Sequence, residues 1–320
     1  MFSIAFQELT ERVTDQLVEE AQKISIRGNS TDVSIPAELR GTFLPVNLLA
    51  NTYCSTERYV YLASVLKKKP EYTWDRFMGY TVDDIYPKML KEFKTTKFVR
   101  LSKNGIYEAC IKIGEEIIGK AKEKLWGKYM KKFIFEPTTL EIENFFNNLH
   151  RIVEFESLMA ASLLDYKLSQ NPEVQVNSCI EEIFPFIVKQ DLHKGQEIGF
   201  SDPVQPDFIY NNKVIGDVKS GTYKDFFPHT LAAYSLAYEK DIGKNMDFGV
   251  ILNPQFPERD LTIDYSNAKI IVIDDTMRKD FLKYRNYKLN MVKNKEDRPL
   301  ASEEICKRCG YYNICRGGHT

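Results

Sequence analysis

The chain has 320 residues, 43% of them apolar, enough to bury a full core as one large domain or two modest ones. Its 44 Lys and Arg offset 45 Asp and Glu to a formal charge of -1, which excludes a globally basic protein and leaves any affinity for polyanions to local patches. No run of about 18 apolar residues occurs, and Glu8, Glu11 and Arg12 stand where a secretion signal needs its apolar stretch, so no membrane span and a cytoplasmic location are expected.

Residues 1 to about 180 read mostly as helix. Within them Phe145, Phe146, Leu149, Ile152, Val153, Leu158 and Met159 recur near the 3.6-residue period, which predicts a core stripe. From about residue 183 the pattern changes to short β-branched and aromatic runs, IFPFIV, PDFIY, KVIGDV, DFGVIL and KIIVID, separated by turn residues. These predict a sheet. HTLAAYSLAYEK, between the third and fourth runs, has helical composition, and a longer helix is predicted from about Thr276 to Met291. The order is strand, strand, strand, helix, strand, strand, helix, then a cysteine-bearing tail.

The second and third runs carry chemistry. Gln205-Pro-Asp207-Phe-Ile-Tyr is followed by Asn211-Asn-Lys213 and then Val214-Ile-Gly-Asp217-Val218-Lys219. Asn-Asn between two apolar runs signals a hairpin. A three-residue loop pairs Tyr210 with Val214 and Phe208 with Gly216, and sets Asp207 opposite Asp217. Opposed residues have Cβ atoms about 4.5–5.5 Å apart, close enough for two carboxylates to share a divalent cation. Strand alternation puts Lys219 on the face of Asp217. Two hard oxygen ligands and one ammonium aimed at a single point suit phosphodiester hydrolysis assisted by Mg²⁺ or Mn²⁺. The plainer reading of Asp217-Val-Lys219 alone is a surface ion pair at a strand end.

Of six cysteines, Cys306, Cys309 and Cys315 form a CxxCx5C pattern, and in a reducing compartment such spacing favours metal ligation over cross-links. Three thiolates leave one ligand to find, from Cys54, Cys110, Cys179 or His319. Cys54 lies in a polar break, Asn51-Thr-Tyr-Cys54-Ser-Thr-Glu, before a helix-like run; Cys110 and Cys179 sit in apolar-patterned segments and read as core. An iron-sulfur cluster and a zinc ion are both compatible with this donor set.

One early cysteine, an Asp and a DxK on a hairpin, a following helix with a Tyr, and a terminal CxxCx5C together resemble the RecB-like nucleases of the PD-(D/E)XK superfamily. The segments PFIV, PDFIY, GDVKSG, LAAYSLAYE and DFGVIL are most similar to the CRISPR-associated exonucleases with a 4Fe-4S cluster, archaeal type I-A members in particular. The resemblance covers roughly residues 44 to 62 and 183 to 320. It implies an α/β fold, a restriction-endonuclease-like mixed sheet flanked by helices, with a helical region (1–180), a nuclease core (181–300) and a cysteine segment (301–320) packing near residue 54. It further implies Asp207 and Asp217 as metal ligands with the Val218 carbonyl, Lys219 as catalytic lysine, Tyr234 as a substrate-positioning tyrosine, and Cys54, Cys306, Cys309 and Cys315 as 4Fe-4S ligands.

Two positions depart from the family pattern. Family members often carry Gly-x-x-x-His for a further metal ligand, whereas Gly79 is followed at that spacing by Asp83; the glutamine expected four residues before Tyr234 is Thr230, beside His229. The implied activity is a Mg²⁺- or Mn²⁺-dependent deoxyribonuclease, an exonuclease on single-stranded DNA or DNA ends, acting with other adaptation proteins in CRISPR spacer acquisition. The rival is a non-catalytic iron-sulfur DNA-binding or scaffold subunit. Basic runs at Lys67 to Lys69, at Lys120, Lys122, Lys124, Lys128, Lys131 and Lys132, and at Lys283, Arg285 and Lys288 have a solvated helix face as their default reading. Trp126, Tyr129, Tyr284 and Tyr287 interleave with them and can stack on unpaired bases; the last run is the expected nucleic-acid surface.

Overall fold

The computed structural model describes residues 19, 32–95, 103–170, 179, 186–210, 212–219, 223–253, 269–306 and 309–317. Outside them lie Glu8, Glu11 and Arg12 of the N-terminal segment, the start of the first strand run, Asn211 of the hairpin turn, and His319.

The N-terminal half is helical, as its periodicity predicts: α1 (Val46–Ala50), α2 (Arg58–Ser64), α3 (Trp74–Thr95), α4 (Lys103–Lys124) and α5 (Thr139–Gln170). α5 begins with a reciprocal cap in which the Glu141 N–H donates to Thr138 Oγ1 at 3.2 Å and the Thr138 N–H to Glu141 Oε2 at 2.8 Å. Its buried stripe is Phe145, Phe146, Leu149, Ile152 and Val153, as expected, but it continues through Glu156, Ser157 and Ala160. Leu158, predicted to lie in that stripe, is exposed instead. Positions 149, 153, 156 and 160 hold the helical period, and 158 falls off it.

Among the described residues the sheet has five strands in the order β1 (Phe186–Val188), β2 (Phe208–Tyr210), β3 (Val214–Val218), β4 (Phe248–Leu252) and β5 (Lys269–Val272). Only β3 and β4 are parallel, and the crossover between them is α6 (Phe227–Ile242). α7 (Asp275–Lys293) follows β5, capped by Asp274, whose carboxylate accepts from the Met277 N–H at 2.8 Å. Two short helices, α8 (Glu303–Cys306) and α9 (Tyr312–Arg316), carry the cysteine tail.

Strand alternation sorts the sheet into two cores. Phe208, Val214, Val218, Val250 and Leu252 pack with α3, α4 and α5. Ile209, Ile215 and Ile251 pack with α1, α2, α6 and α7. A one-residue slip would exchange the two sets, so burial on both faces fixes the register that also places the acidic residues. Gly216 is required here: a Cβ would lie 1.9 Å from the Phe208 ring, which covers the strand at that point.

The expected nucleic-acid surface on α7 is overturned. Arg285 and Lys288 are buried. The Arg285 guanidinium donates to the carbonyls of Val33 (2.9 Å), Ser34 (2.9 Å) and Ile198 (3.0 Å). Lys288 Nζ donates to the carbonyls of Leu48 (3.0 Å) and Asn51 (2.5 Å) and to the Tyr59 hydroxyl (3.0 Å), and pairs with Glu57 at 3.1 Å. The three-residue spacing of 285 and 288 puts both on the inner face of the helix, where they donate to buried backbone carbonyls, those of Leu48 and Asn51 shared with the Tyr59 hydroxyl. Lys283 alone of the three is exposed, and it is paired with Asp280.

Candidate functional site

The hairpin register is the one the sequence predicts, Phe208 opposite Gly216, Ile209 opposite Ile215 and Tyr210 opposite Val214. It sets Asp207 and Asp217 at the end of the ribbon away from the turn, both buried. Asp207 Oδ2 accepts from the Val218 N–H at 2.8 Å, which anchors one carboxylate to the strand bearing the other. Lys219 Nζ lies 2.8 Å from Asp217 Oδ1 and 2.7 Å from Oδ2. β4 fixes the strand exit, since the Lys219 N–H donates to the Leu252 carbonyl (2.8 Å) and Asn253 Nδ2 to the Lys219 carbonyl (2.9 Å).

α3 and α6 complete the cluster. The Asp83 carboxyl, on α3, is held far above the usual carboxylate range by burial and by the charges of Asp207 and Asp217. Pro87 stands four residues after it, so the Asp83 carbonyl lacks its helical N–H. Burial, and next to it Asp207, push Asp217 up to about 7 against the opposing pull of Lys219. Burial lowers the Lys219 ammonium, but Asp217, Asp83 and Asp207 outweigh it and the net shift is upward. Tyr234, on α6, has its phenol raised by burial and then by Asp217, Asp207 and Asp83, so it stays protonated. The structure thus gathers Asp83, Asp207, Asp217, Lys219 and Tyr234 into one electrostatic cluster, while Thr230 is buried in α6 and the His229 ring lies tilted against the Tyr284 ring at 4.9 Å. The contact made by Val218 is its N–H on Asp207.

Sequence reasoning missed Lys189. Its Nζ lies 2.6 Å from Asp207 Oδ1, and its N–H donates to the Asp207 carbonyl at 3.2 Å. The signal was available in the β1–β2 register: Val188 pairs with Phe208, so the next residue of β1 meets Asp207. Lys189 has φ +49, a left-handed conformation that a side chain adopts only when its surroundings enforce it.

Three carboxylates against two ammonium groups leave one negative charge uncompensated when all are ionised, in a site where burial already penalises ionisation. Hard carboxylate oxygens around such a deficit suit Mg²⁺ or Mn²⁺. Among the described residues no three His, Cys, Asp or Glu side chains are already closed into a ligand set. Lys189 and Lys219 hold the carboxylate oxygens here.

The cysteine tail folds back onto the segment after α1. Successive turns link the Cys309 N–H to the Cys306 carbonyl (2.9 Å), Tyr312 to Cys309 (2.9 Å) and Cys315 to Tyr311 (2.8 Å). The Tyr53 hydroxyl lies 3.6 Å from Cys309 Sγ, which also accepts from the Tyr311 N–H at 3.4 Å. Arg316 reaches Cys306 Sγ at 4.0 Å, and Cys54 Sγ is 3.4 Å from the Thr56 hydroxyl. Burial raises the Cys315 thiol, Arg58 opposes, and the charges of Cys309, Cys306 and Cys54 raise it further, so the four thiols feel one another electrostatically, although among the described residues they are not closed into a ligand set. Thiols brought to one region with N–H and O–H donors around them are the donor type that a thiolate-bound cluster or a soft metal ion takes. Cys110 and Cys179 are buried in the helical core, as expected of structural residues.

The family CRISPR-associated exonuclease Csa1 matches residues 17–318. A curated relative, the CRISPR-associated exonuclease Csa1 of Saccharolobus solfataricus, is 24% identical over 270 residues, which cover 84% of this chain and 84% of that protein. Among the described residues no helix is long and apolar enough to cross a membrane. The chain belongs to the CRISPR-associated exonuclease Csa1 family.

Proposed function

We propose that this chain is a Mg²⁺- or Mn²⁺-dependent exonuclease acting on single-stranded DNA or DNA ends, on a restriction-endonuclease-like core, and that it works with other adaptation proteins in CRISPR spacer acquisition. One observation carries the reading: Asp207, Asp217 and Lys219 converge from neighbouring strands at the end of one hairpin, with Asp83 brought to them by α3. Asp207, Asp217 and Asp83 would hold the divalent ion, which when bound polarises the scissile phosphate and lowers the pKa of a water. Lys219, protonated and buried beside them, supplies positive charge where the phosphate becomes more negative. Tyr234, kept as a phenol, can donate a hydrogen bond to a phosphate oxygen or sugar. The Val218 N–H pins the Asp207 carboxylate to the strand that bears Asp217, and Lys219 holds the Asp217 carboxylate beside it.

The family membership supports the nuclease class, and the four-thiol site supports a 4Fe-4S cluster joining the segment around Cys54 to the C-terminal tail. The test is degradation of end-labelled single-stranded DNA by purified protein with Mn²⁺ or Mg²⁺. Asp217→Ala should abolish cleavage while DNA affinity changes little. No cleavage by protein with its thiol site filled would leave the binding-scaffold reading. Colourless protein carrying one zinc per chain would replace iron-sulfur by zinc.

A further inference from the structure

With α7 removed as a nucleic-acid surface, the strongest unspent positive charge in the described structure lies at the end of α4. Lys120, Lys124, Lys128, Lys131 and Lys132 are all exposed, and none forms an ion pair with a described residue. Of the six lysines in this stretch Lys122 is engaged by His150 and the Phe146 ring, and Lys128 Nζ lies over the ring of its neighbour Tyr129 at 5.2 Å. The backbone departs from α-helix at the same place, with a π turn over Leu125–Tyr129 followed by a 3-10 turn over Met130–Lys132. Such turns break the helical face and concentrate at functional sites. Here Leu125 stays buried and Tyr129 packs at 4.8 Å from Tyr72 and 5.5 Å from Phe77, while Trp126 between them is 59% exposed.

This patch connects to the acidic cluster through α3. Phe77, which holds Tyr129, is in the first turn of that helix. Arg76, Tyr80 and Asp83 follow at spacings of four and three, which puts them on one stripe. Arg76 lies over the rings of Tyr72 (5.4 Å) and Tyr80 (5.2 Å) and donates to the Tyr80 hydroxyl at 3.0 Å; Tyr80 is exposed. Seven residues of helix rise carry the stripe about 10 Å, from Arg76 to the carboxylate beside Asp207 and Asp217.

We propose that single-stranded DNA is held along this surface, with bases stacked on Trp126 and Tyr80, phosphates met by Lys128, Lys131, Lys132 and Arg76, and the strand end delivered to Asp83. This rests on the nuclease reading above and adds the path of the substrate. Unpaired bases rather than duplex are favoured because exposed aromatic faces interleaved with cations match a single strand, whose bases are open to stacking.

Tryptophan emission reads the path directly. The chain has two tryptophans, and Trp74 is buried against Phe77 at 5.4 Å. Full-length protein in chelator, where it cannot cleave, is titrated with oligo-dT of about 15 nucleotides, long enough for such a site. Emission should fall on binding. Trp126→Ala should remove that signal and weaken binding roughly tenfold, as loss of one stacked base does. Lys128→Glu with Lys131→Glu and Lys132→Glu should weaken it further and reduce the salt dependence of log affinity by about 2, since each phosphate no longer neutralised on a single strand accounts for about 0.7. Unchanged circular dichroism would exclude misfolding. If wild-type protein cleaves DNA but its emission does not change and the variants bind as it does, the path is wrong and the nuclease reading stands. If it neither binds nor cleaves single-stranded DNA, both fail. Tighter binding of an RNA of the same length through the same residues would overturn DNA as the occupant.

Discussion

Replacing Asp217 by Asn in the metal-free protein should change how stability depends on pH, by an amount the site geometry sets. Burial holds the Asp217 carboxyl at about 7 against an ordinary 3.8. Between those values the unfolded chain has released the proton and the folded chain still holds it, so the folded state binds more protons and loses stability as pH rises. Below about pH 4 both states are protonated and the residue contributes no difference; above about pH 7 the loss is complete. At 1.36 kcal/mol per pH unit, the interval of about three units amounts to about 4 kcal/mol. Asp83 is displaced in the same direction, but it is present in both proteins, and only the part of its shift caused by the Asp217 charge differs between them. Glu57 and Glu239 are also raised by burial, but they are common to both proteins and cancel in the comparison. Urea unfolding in chelator from about pH 4.5 to 8 should therefore show wild-type stability falling relative to Asp217→Asn by up to about 1.4 kcal/mol per unit, levelling off near neutrality. Adding Mn²⁺ to wild-type should recover stability, about 2.7 kcal/mol at a hundredfold excess over its dissociation constant, and recover less in the variant. Parallel curves for the two proteins would refute the reasoning, because they would mean that Asp217 is ionised in the fold at no expense and has no need of a cation.

Lys189→Gln should raise the Mn²⁺ requirement or lower the cleavage rate by roughly 10- to 100-fold, as loss of a group orienting a metal ligand does, and Lys189→Arg should restore most of it; metal titration of the cleavage rate is the assay. Lys288→Met should destabilise the protein by about 3–5 kcal/mol, since it leaves Glu57 buried without its cation and the Leu48 and Asn51 carbonyls with only the Tyr59 hydroxyl to share, yet change DNA affinity by less than twofold, read by unfolding and by fluorescence anisotropy. Gly216→Ala should lower the urea midpoint by about 1–3 kcal/mol equivalent through overpacking against Phe208, and Phe208→Leu in the same chain should return part of that loss.

The hairpin was legible because its determinants are local. Turn residues and period-two patterning set the register of β2 against β3, and the register alone carries Asp207 to Asp217. The chain order of the strands, with α6 and α7 among them, follows from the same short-range signals. What the sequence hides is pairing between distant elements. Lys189 looks like any lysine at a strand end until β1 is known to flank β2. Leu158 carries an apolar side chain but the wrong phase, and its burial is decided by what faces α5. Arg285 and Lys288 read as surface cations because charge is ordinarily exposed; only the fold reveals the carbonyls of residues 33, 34, 48, 51 and 198 gathered around them.

A net charge of -1 conceals three different uses of cationic side chains, and these explain why composition says so little about the partner. Arg278, fully buried, bridges Glu239 (2.7 Å), Asp247 (3.0 Å) and the Met246 carbonyl (3.1 Å), and with Arg285 and Lys288 it fastens α7 to its neighbours. Lys189 and Lys219 are matched to carboxylates at the end of the hairpin. Neither group is available to a polyanion at the surface. Lys120, Lys124, Lys128, Lys131 and Lys132 form a third group, exposed and without an ion pair to any described residue, beside an exposed tryptophan. Because a phosphate backbone is attracted by local rather than total charge, a protein that is neutral overall can still present it with one strongly positive face. The acidic cluster would repel the same backbone unless a divalent ion offset it, so the basic surface and the cation-demanding site are complementary requirements for one substrate.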